Sequence, residues 1–342
     1  AAGITNPAAK QELVRQLYDN FFGVAFKDTR DKLGIVYTPI EIVDFIIRSV
    51  NDVLEDEFGL TLGSKGVHII DPFTGTGTFI TRLLQSGLIA PDELEHKFRY
   101  ELHANEIVLL AYYIAAINIE TVYHSLSGGD YTPFNGILLT DTFAMGEGKD
   151  ELALVLPDNS ERRRRQQELD IRVIMGNPPY AVAQHIDYPH LDGRIEATYA
   201  ARSKATNKNA LYDSYIRAIR WGADRLGESG VLAYVSNGGW IDANTADGMR
   251  KCMVEEFSSI YVFHLRGNQR KSGETSRREG GKIFGAGSRA PIVITLFIKN
   301  PSAEKKGQIF YHDIGDYLSR EDKLKIIADF GSIRGIGAKK GW

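Results

Sequence analysis

Asp170-Ile-Arg-Val-Ile-Met-Gly-Asn-Pro-Pro-Tyr180 is the stretch around which the rest of the chain can be read. Ile171, Val173, Ile174 and Met175 form a short apolar run with β-branched residues, which predicts a buried strand. Gly176 ends the run, and Asn177-Pro178-Pro179-Tyr180 follows as a stiff loop. Consecutive prolines have fixed φ angles and no N–H, so they present rigidly held carbonyl acceptors. Asn177 adds an amide oxygen and Tyr180 a flat aromatic face. Such a loop suits a planar group bearing an –NH₂, with acceptors for its hydrogens and a ring to stack on. A plain turn after a strand is the alternative, since Asn-Pro is a common turn signal.

Upstream of this loop, Val67-His-Ile-Ile70 predicts a short buried strand followed by Asp71-Pro72-Phe73-Thr74-Gly75-Thr76-Gly77 and an apolar helix through Leu84. Strand, glycine turn, helix is the unit that builds a nucleotide-type site at the carboxyl end of a parallel sheet. Gly75 and Gly77 allow close approach to the backbone. No Lys follows Gly77, so this is not a phosphate-binding P-loop, and the third glycine of the dinucleotide fingerprint is missing. Asp71 would repel a pyrophosphate and suit a cationic amine.

Further acids follow at expected strand ends. Residues 98–104 read as a strand closing on Asn105-Glu106, and 136–140 as a third strand ending at Asp141. An acid at the second strand tip is where a ribose diol is held; a helix N-terminal acid is the plainer account of Glu106. The helix from Ile107 to Ile119 is apolar nearly all round, so it is expected to lie sandwiched against the sheet. Strands are also expected at 230–235, 260–265 and 291–299, with helices at 8–26, after Pro39, at 211–226 and at 249–257. Thr38 would cap the helix that Pro39 starts. Alternating strands and helices predict one doubly wound, mainly parallel, Rossmann-like α/β sheet with helices on both faces and an N-terminal helical lead-in. The expected division is 1–60 helical segment, 61–320 core and 321–342 the start of a linker.

Composition bounds what else the chain can be. With 342 residues and a formal net charge of -3, it can bury a sizeable core but shows no global attraction for a polyanion. Any nucleic-acid contact must be local; the loop-like, basic stretch 266–289 offers Arg266, Arg270, Lys271, Arg277 and Arg278, and Arg162 to Arg165 reads as a solvated helix face. The single cysteine, Cys252, excludes internal disulfides and a cysteine-built metal site and fits a reducing cytosol; it is expected to be a core thiol. No apolar run is long enough to span a bilayer and no metal site is expected.

In order along the chain, Tyr37-Thr38-Pro39, the Asp71 glycine turn, Glu106, Asp141 and Asn177-Pro-Pro-Tyr180 resemble the S-adenosylmethionine-dependent DNA amino-methyltransferases in which the cofactor motifs precede the catalytic one. His103-Ala-Asn-Glu-Ile107, Leu211-Tyr-Asp-Ser-Tyr215, Ser236-Asn-Gly-Gly-Trp240, Arg266-Gly-Asn-Gln-Arg270 and Tyr311-His-Asp-Ile-Gly-Asp-Tyr317 narrow the resemblance to the methyltransferase part of type ISP single-polypeptide restriction-modification enzymes. It runs from about residue 10 to about residue 333, and Gly335 to Trp342 departs from it. The resemblance implies a cytoplasmic, prokaryotic enzyme acting on double-stranded DNA, with nuclease, helicase-like translocase and target-recognition domains elsewhere in the polypeptide.

The resemblance also implies roles. Tyr37, Thr38, Pro39, Asp71, Pro72, Phe73, Gly75 and Gly77 would surround the methionine end of S-adenosylmethionine, Glu106 its ribose and Asp141 its adenine. Asn177 to Tyr180 would hold a flipped base, with Phe284 as a second aromatic face; Asn at the first position of the loop favours adenine within the family, with the cytosine amine as the alternative. Cytosine-ring methylation is disfavoured because it needs a cysteine nucleophile in a loop. Two other functions use the same features: a protein-glutamine methyltransferase, which also grips a planar amide, and a DNA-binding module that has lost catalysis.

Overall fold

The central strands form where the sequence is apolar on both faces, and the computed structural model places all the strands in one sheet. It describes residues 38–128, 130–148, 154–180, 186–284 and 289–342; the helix expected over 8–26 and Tyr37 lie outside them. Helix α1 spans Ile40–Phe58, β1 His68–Asp71, α2 Thr78–Gln85, α3 Pro91–His96 and β2 Leu102–Glu106. Then come α4 at Leu109–Ser127, β3 at Ile137–Leu139, α5 at Pro157–Glu168 and β4 at Ile171–Gly176. They are followed by α6 at Pro189–Ile195, α7 at Ser214–Arg225, β5 at Gly230–Asn237 and α8 at Asp247–Glu256. The rest is β6 at Ser259–Arg266, α9 at Gly273–Glu279, β7 at Ile292–Lys299, β8 at Gln308–Asp313, α10 at Arg320–Phe330 and α11 at Ile333–Lys339.

The eight strands are ordered β3-β2-β1-β4-β5-β7-β6-β8. β7 is inserted antiparallel between β5 and β6, and every other neighbour is parallel. One face is covered by apolar side chains of α1, α2, α4, α10 and α11, including Phe45, Ile80, Ile119, Ile327 and Ile336. The other is covered by α6, α7 and α8 through Ile195, Ile219, Met249 and Cys252, so the lone thiol is a core residue. This is the doubly wound architecture, and its ligand crevice lies where the strand order reverses, between β1 and β4.

Three local expectations differ. The strand expected from Phe98 starts only at Leu102, because Lys97–Glu101 forms a π-helical turn. Lys97 is buried there, with Nζ 2.5 Å from Glu101 and donating to the Ser64 and Val67 carbonyls, while Phe98 stacks on Tyr123. Helix α4 is not sandwiched: Ala111, Ala115 and Ile119 face the core, whereas Leu109, Leu110, Tyr113 and Ile117 are exposed. The basic stretch 266–289 is not wholly loop, since α9 lies within it.

The segment expected to begin a linker belongs to the core. Ser319 caps α10 through the Asp322 N–H, Ile327, Ile333 and Ile336 are buried, and the Ile333 N–H donates to Ser49 Oγ on α1. Arg334 adds ion pairs to Asp52, Glu55 and Asp56 of the same helix. Likewise α1, assigned to a separate lead-in, shares one apolar cluster with β4 and β5. Ile336→Ala should therefore destabilise the protein by about 2–5 kcal/mol in urea unfolding, as a buried cavity does; a change within about 0.5 kcal/mol, normal for an exposed linker position, would show that α11 is not part of the folding unit.

Candidate active site

The crevice is built first by the turn between β1 and α2. Gly75 and Gly77 have φ of 57° and 87°, the left-handed region that glycine enters without strain. Thr74 Oγ1 donates to the Asp71 carbonyl (2.9 Å), and the Thr74 N–H donates to the Asn105 carbonyl on β2 (3.0 Å). A Cβ on Gly77 would sit 3.2 Å from Ile119 of α4, whereas one on Gly75 would meet nothing within 4 Å. Gly77 thus serves close packing, and Gly75 faces open space.

Three carboxyl groups stand along this edge of the sheet. Asp71, at the tip of β1, accepts the Phe73 N–H at Oδ1 (3.1 Å), and its buried Oδ2 has no hydrogen-bond partner among the described residues. Burial, and secondarily the nearby Glu106, pushes its pKa up to about 8. Glu106, at the tip of β2, accepts the Gly75 N–H (2.8 Å) and the Val108 N–H (2.7 Å), so it braces the glycine turn. Burial raises its pKa to about 7 against those two bonds. Asp141, two residues beyond β3, accepts the Phe143 N–H (2.9 Å) and the Tyr188 hydroxyl (2.9 Å). Burial raises its pKa as well, opposed by these donors.

Asn177 follows β4, the strand beside β1. Its Nδ2 donates to Thr38 Oγ1 (2.9 Å), which ties the Asn177 loop to the segment entering α1. Thr38 therefore does not cap α1 through its side chain, as expected; its hydroxyl is used by the site. Tyr180 donates its hydroxyl to the Val235 carbonyl on β5 (3.3 Å) and meets Phe284 edge-to-face, with ring centroids 5.5 Å apart at 61°. Phe284 is thus beside the loop, but as a packing partner of Tyr180 and not as the opposite wall of an open slot.

The five cations proposed to touch DNA are placed differently from one another. Arg266 is committed to Asp313 (2.7 Å) and Asp316, Arg278 to Asp316 (2.8 Å), Lys271 to Glu279 (3.3 Å) and Arg277 to Glu274 (3.7 Å). Arg270 is exposed and has no ion pair among the described residues. On α5, Arg164 and Arg165 pair with Glu168 and Glu161 across one helical turn, as a solvated face does, while Arg163 is buried. Sequence reasoning missed Tyr188, because a tyrosine in a polar stretch carries no signal of which acid it will meet.

Comparison with known proteins agrees with this geometry. The Eco57I restriction-modification methylase family matches residues 141–270, which include Asp141 and the Asn177 loop. A nuclease-deletion mutant of the type ISP restriction-modification enzyme LlaGI, solved with a DNA substrate mimic, is 49% identical with a TM-score of 0.91, over 98% of this chain and 28% of that one. The ATP-dependent type ISP enzyme LlaBIII bound to DNA is 46% identical with a TM-score of 0.92, over 99% of this chain and 24% of that one. The DrdV–DNA complex is 39% identical with a TM-score of 0.90, over 96% of this chain and 32% of that one. No curated protein is a significant match. The chain therefore spans less than a third of each of these solved relatives. At such identity over nearly all of its own length, it belongs to the type ISP restriction-modification enzymes, as their methylase segment.

Proposed function

We propose that the chain transfers a methyl group from S-adenosylmethionine to the exocyclic amine of an adenine flipped out of duplex DNA. In this reading it is the modification module of a polypeptide that also carries nuclease, translocase and target-recognition domains. The observation that carries the proposal is the position of Asn177-Pro-Pro-Tyr180 at the tip of β4, directly beside the Asp71 turn at the tip of β1. A methyl donor and an amine grip need that adjacency. The DNA-bound state of the relatives supports DNA, over protein glutamine, as the substrate.

The residues present fit the cofactor. The buried, unpartnered Asp71 Oδ2 suits a cationic ammonium, and the open space at Gly75 admits a ligand against the backbone. Asp71, Phe73 and the glycine turn would hold the methionine end, Glu106 the ribose hydroxyls and Asp141 the adenine amine. When bound, the cofactor supplies a methyl on a positively charged sulfur, and everything else falls to the protein.

An adenine amine is a weak nucleophile because its lone pair is delocalised into the ring. Asn177 Oδ1 and the Pro178 carbonyl accept its two hydrogens and draw the nitrogen toward tetrahedral geometry. The Thr38 hydroxyl keeps the Asn177 amide in that orientation. Asn177 and Pro178 thus hold the amine with its lone pair available to the methyl that the bound cofactor would supply, and the nitrogen would shed one proton to water on being methylated. Positioning and electrostatics carry the rate. Extruding the base costs a few kcal/mol, and stacking on Tyr180, worth about 1–3 kcal/mol, offsets part of it.

Asn177→Ala should lower methyl transfer from tritiated cofactor to duplex DNA by at least about a hundredfold, while cofactor affinity by calorimetry stays within about threefold. Undiminished turnover would falsify the mechanism.

The carboxyl groups set a pH dependence. In the empty protein burial disfavours ionised Asp71, so its contribution to stability is full below 3.8, the ordinary value, and is lost as pH rises through about 8. A cationic ligand reverses the preference. Cofactor affinity should rise between pH 6 and about 7.5, below the range in which an α-amine loses its own proton, and binding at pH 7 should release protons, detectable as a buffer-dependent binding enthalpy. Asp71→Asn should flatten both the affinity profile and the stability slope; a wild-type affinity that does not change over this range would refute the assignment.

A further inference from the structure

The strand tip at Asp141 is governed by a residue from outside the motifs. Tyr188 is buried and its hydroxyl donates to Asp141 Oδ2 at 2.9 Å, across 47 residues. Its own position is fixed on several sides. The Tyr188 N–H donates to Asp192 Oδ2 (3.2 Å), at the start of α6, and Asp192 is gripped by Arg217 of α7 through two bonds of 2.8 Å. The Arg217 guanidinium also lies under the Tyr188 ring, 5.1 Å from its centroid. Phe143, whose N–H holds the other Asp141 oxygen, meets the same ring edge-on at 5.4 Å and 73°. Phe143 in turn packs on Phe73 of the glycine turn (5.4 Å).

A carboxylate has about four lone-pair directions. Tyr188 and the Phe143 N–H take one on each oxygen, which fixes the rotation of the group and leaves the remaining pairs aimed in set directions. A buried carboxylate left to rotate would have to be ordered by its ligand, at an entropic cost to binding.

We propose that Tyr188 is the positioning residue of the cofactor's purine subsite: by holding Asp141 it makes the subsite select a purine carrying an exocyclic amine over one without it. This rests on the reading that the crevice takes S-adenosylmethionine. Tyr188 acts through Asp141 and does not itself touch the reacting atoms.

The test is a comparison of two ligands on the intact protein by calorimetry: S-adenosylmethionine, and its analogue with hydrogen in place of the purine 6-amino group. Tyr188→Phe keeps the ring packing on Phe143 and Arg217. It should weaken S-adenosylmethionine about tenfold, the scale of one hydrogen bond to a charged group, and leave the analogue within about twofold, so that discrimination between the two collapses. In an Asp141→Asn background the same substitution should change discrimination no further. Equal losses for both ligands would mean that Tyr188 is merely structural and would overturn the proposal, as would unchanged discrimination. If the wild-type protein binds neither ligand, the cofactor reading fails and takes this one with it; wild-type binding with an indifferent Tyr188→Phe sinks this inference alone.

Discussion

The site depends on one close approach, that of the Asp71 carboxylate to the backbone of Gly176. β1 and β4 run side by side, and their successors leave in opposite directions along the sheet. A side chain at the end of β4 would compete for the space that the end of β1 uses. A Cβ on residue 176 would lie 2.7 Å from Asp71 Oδ1, so only glycine lets the acid stay where it is. The loop with functional side chains can begin only one residue later, at Asn177. From there Asn177 reaches back to Thr38, and Tyr180 reaches sideways to Val235 on β5. The loop is therefore fastened on both sides of the crevice.

Much of this was legible in the sequence because the central strands are buried on both faces. β4 and β5 appear as mainly apolar runs, broken in β4 only by Arg172, and the acids stand at the ends of β1 and β2 where a crevice-lining residue belongs. What was not legible has physical causes. β8 is a half-exposed edge strand in which Ile309 and Tyr311 face solvent, so no pattern of a buried face marks it. The exposed apolar face of α4 shows that composition alone does not reveal which apolar side chains are covered. The insertion of β7 between β5 and β6 is a long-range pairing that no local pattern encodes. The same holds for the Asn177 to Thr38 bond, which spans 139 residues, and for Tyr188 and Asp141.

The helices after β8 show how a segment far from the motifs reaches the site. Lys323 of α10 is wholly buried, and its Nζ donates to the Glu279 and Gly281 carbonyls, each at 2.8 Å. Arg320 of the same helix donates to the Ile283 carbonyl at 2.9 Å. These cations hold the backbone immediately before Phe284, and hence the ring that packs on Tyr180. Burial pulls Lys323 down to about 8, so at neutral pH it remains mainly charged, and its bonds to carbonyls remain charge-assisted. Because α10 also packs on α1, the wall around the Asn177 loop is closed by the two ends of the described chain together.

Electrostatics separate this crevice from the rest of the surface. At two partly buried acids elsewhere, Asp224 and Asp313, arginines offset the burial. Burial pushes Asp224 up, but Arg194 and Arg220 outweigh it and hold the group below its ordinary value; Arg266 does the same for Asp313. At the crevice the balance goes the other way. Asp71 and Glu106 are more deeply buried, their donors are backbone N–H groups, and no side-chain cation pairs with either among the described residues. A protein that neutralises its peripheral acids with arginine and leaves two adjacent acids uncompensated at the switch point of its sheet bears a cost in the empty state. A ligand bringing positive charge to that place removes the cost on binding. The deficit of positive charge beside Asp71 is complementary to the amine grip proposed at Asn177: in that reading one edge of the crevice takes a cation, and the other a neutral amine.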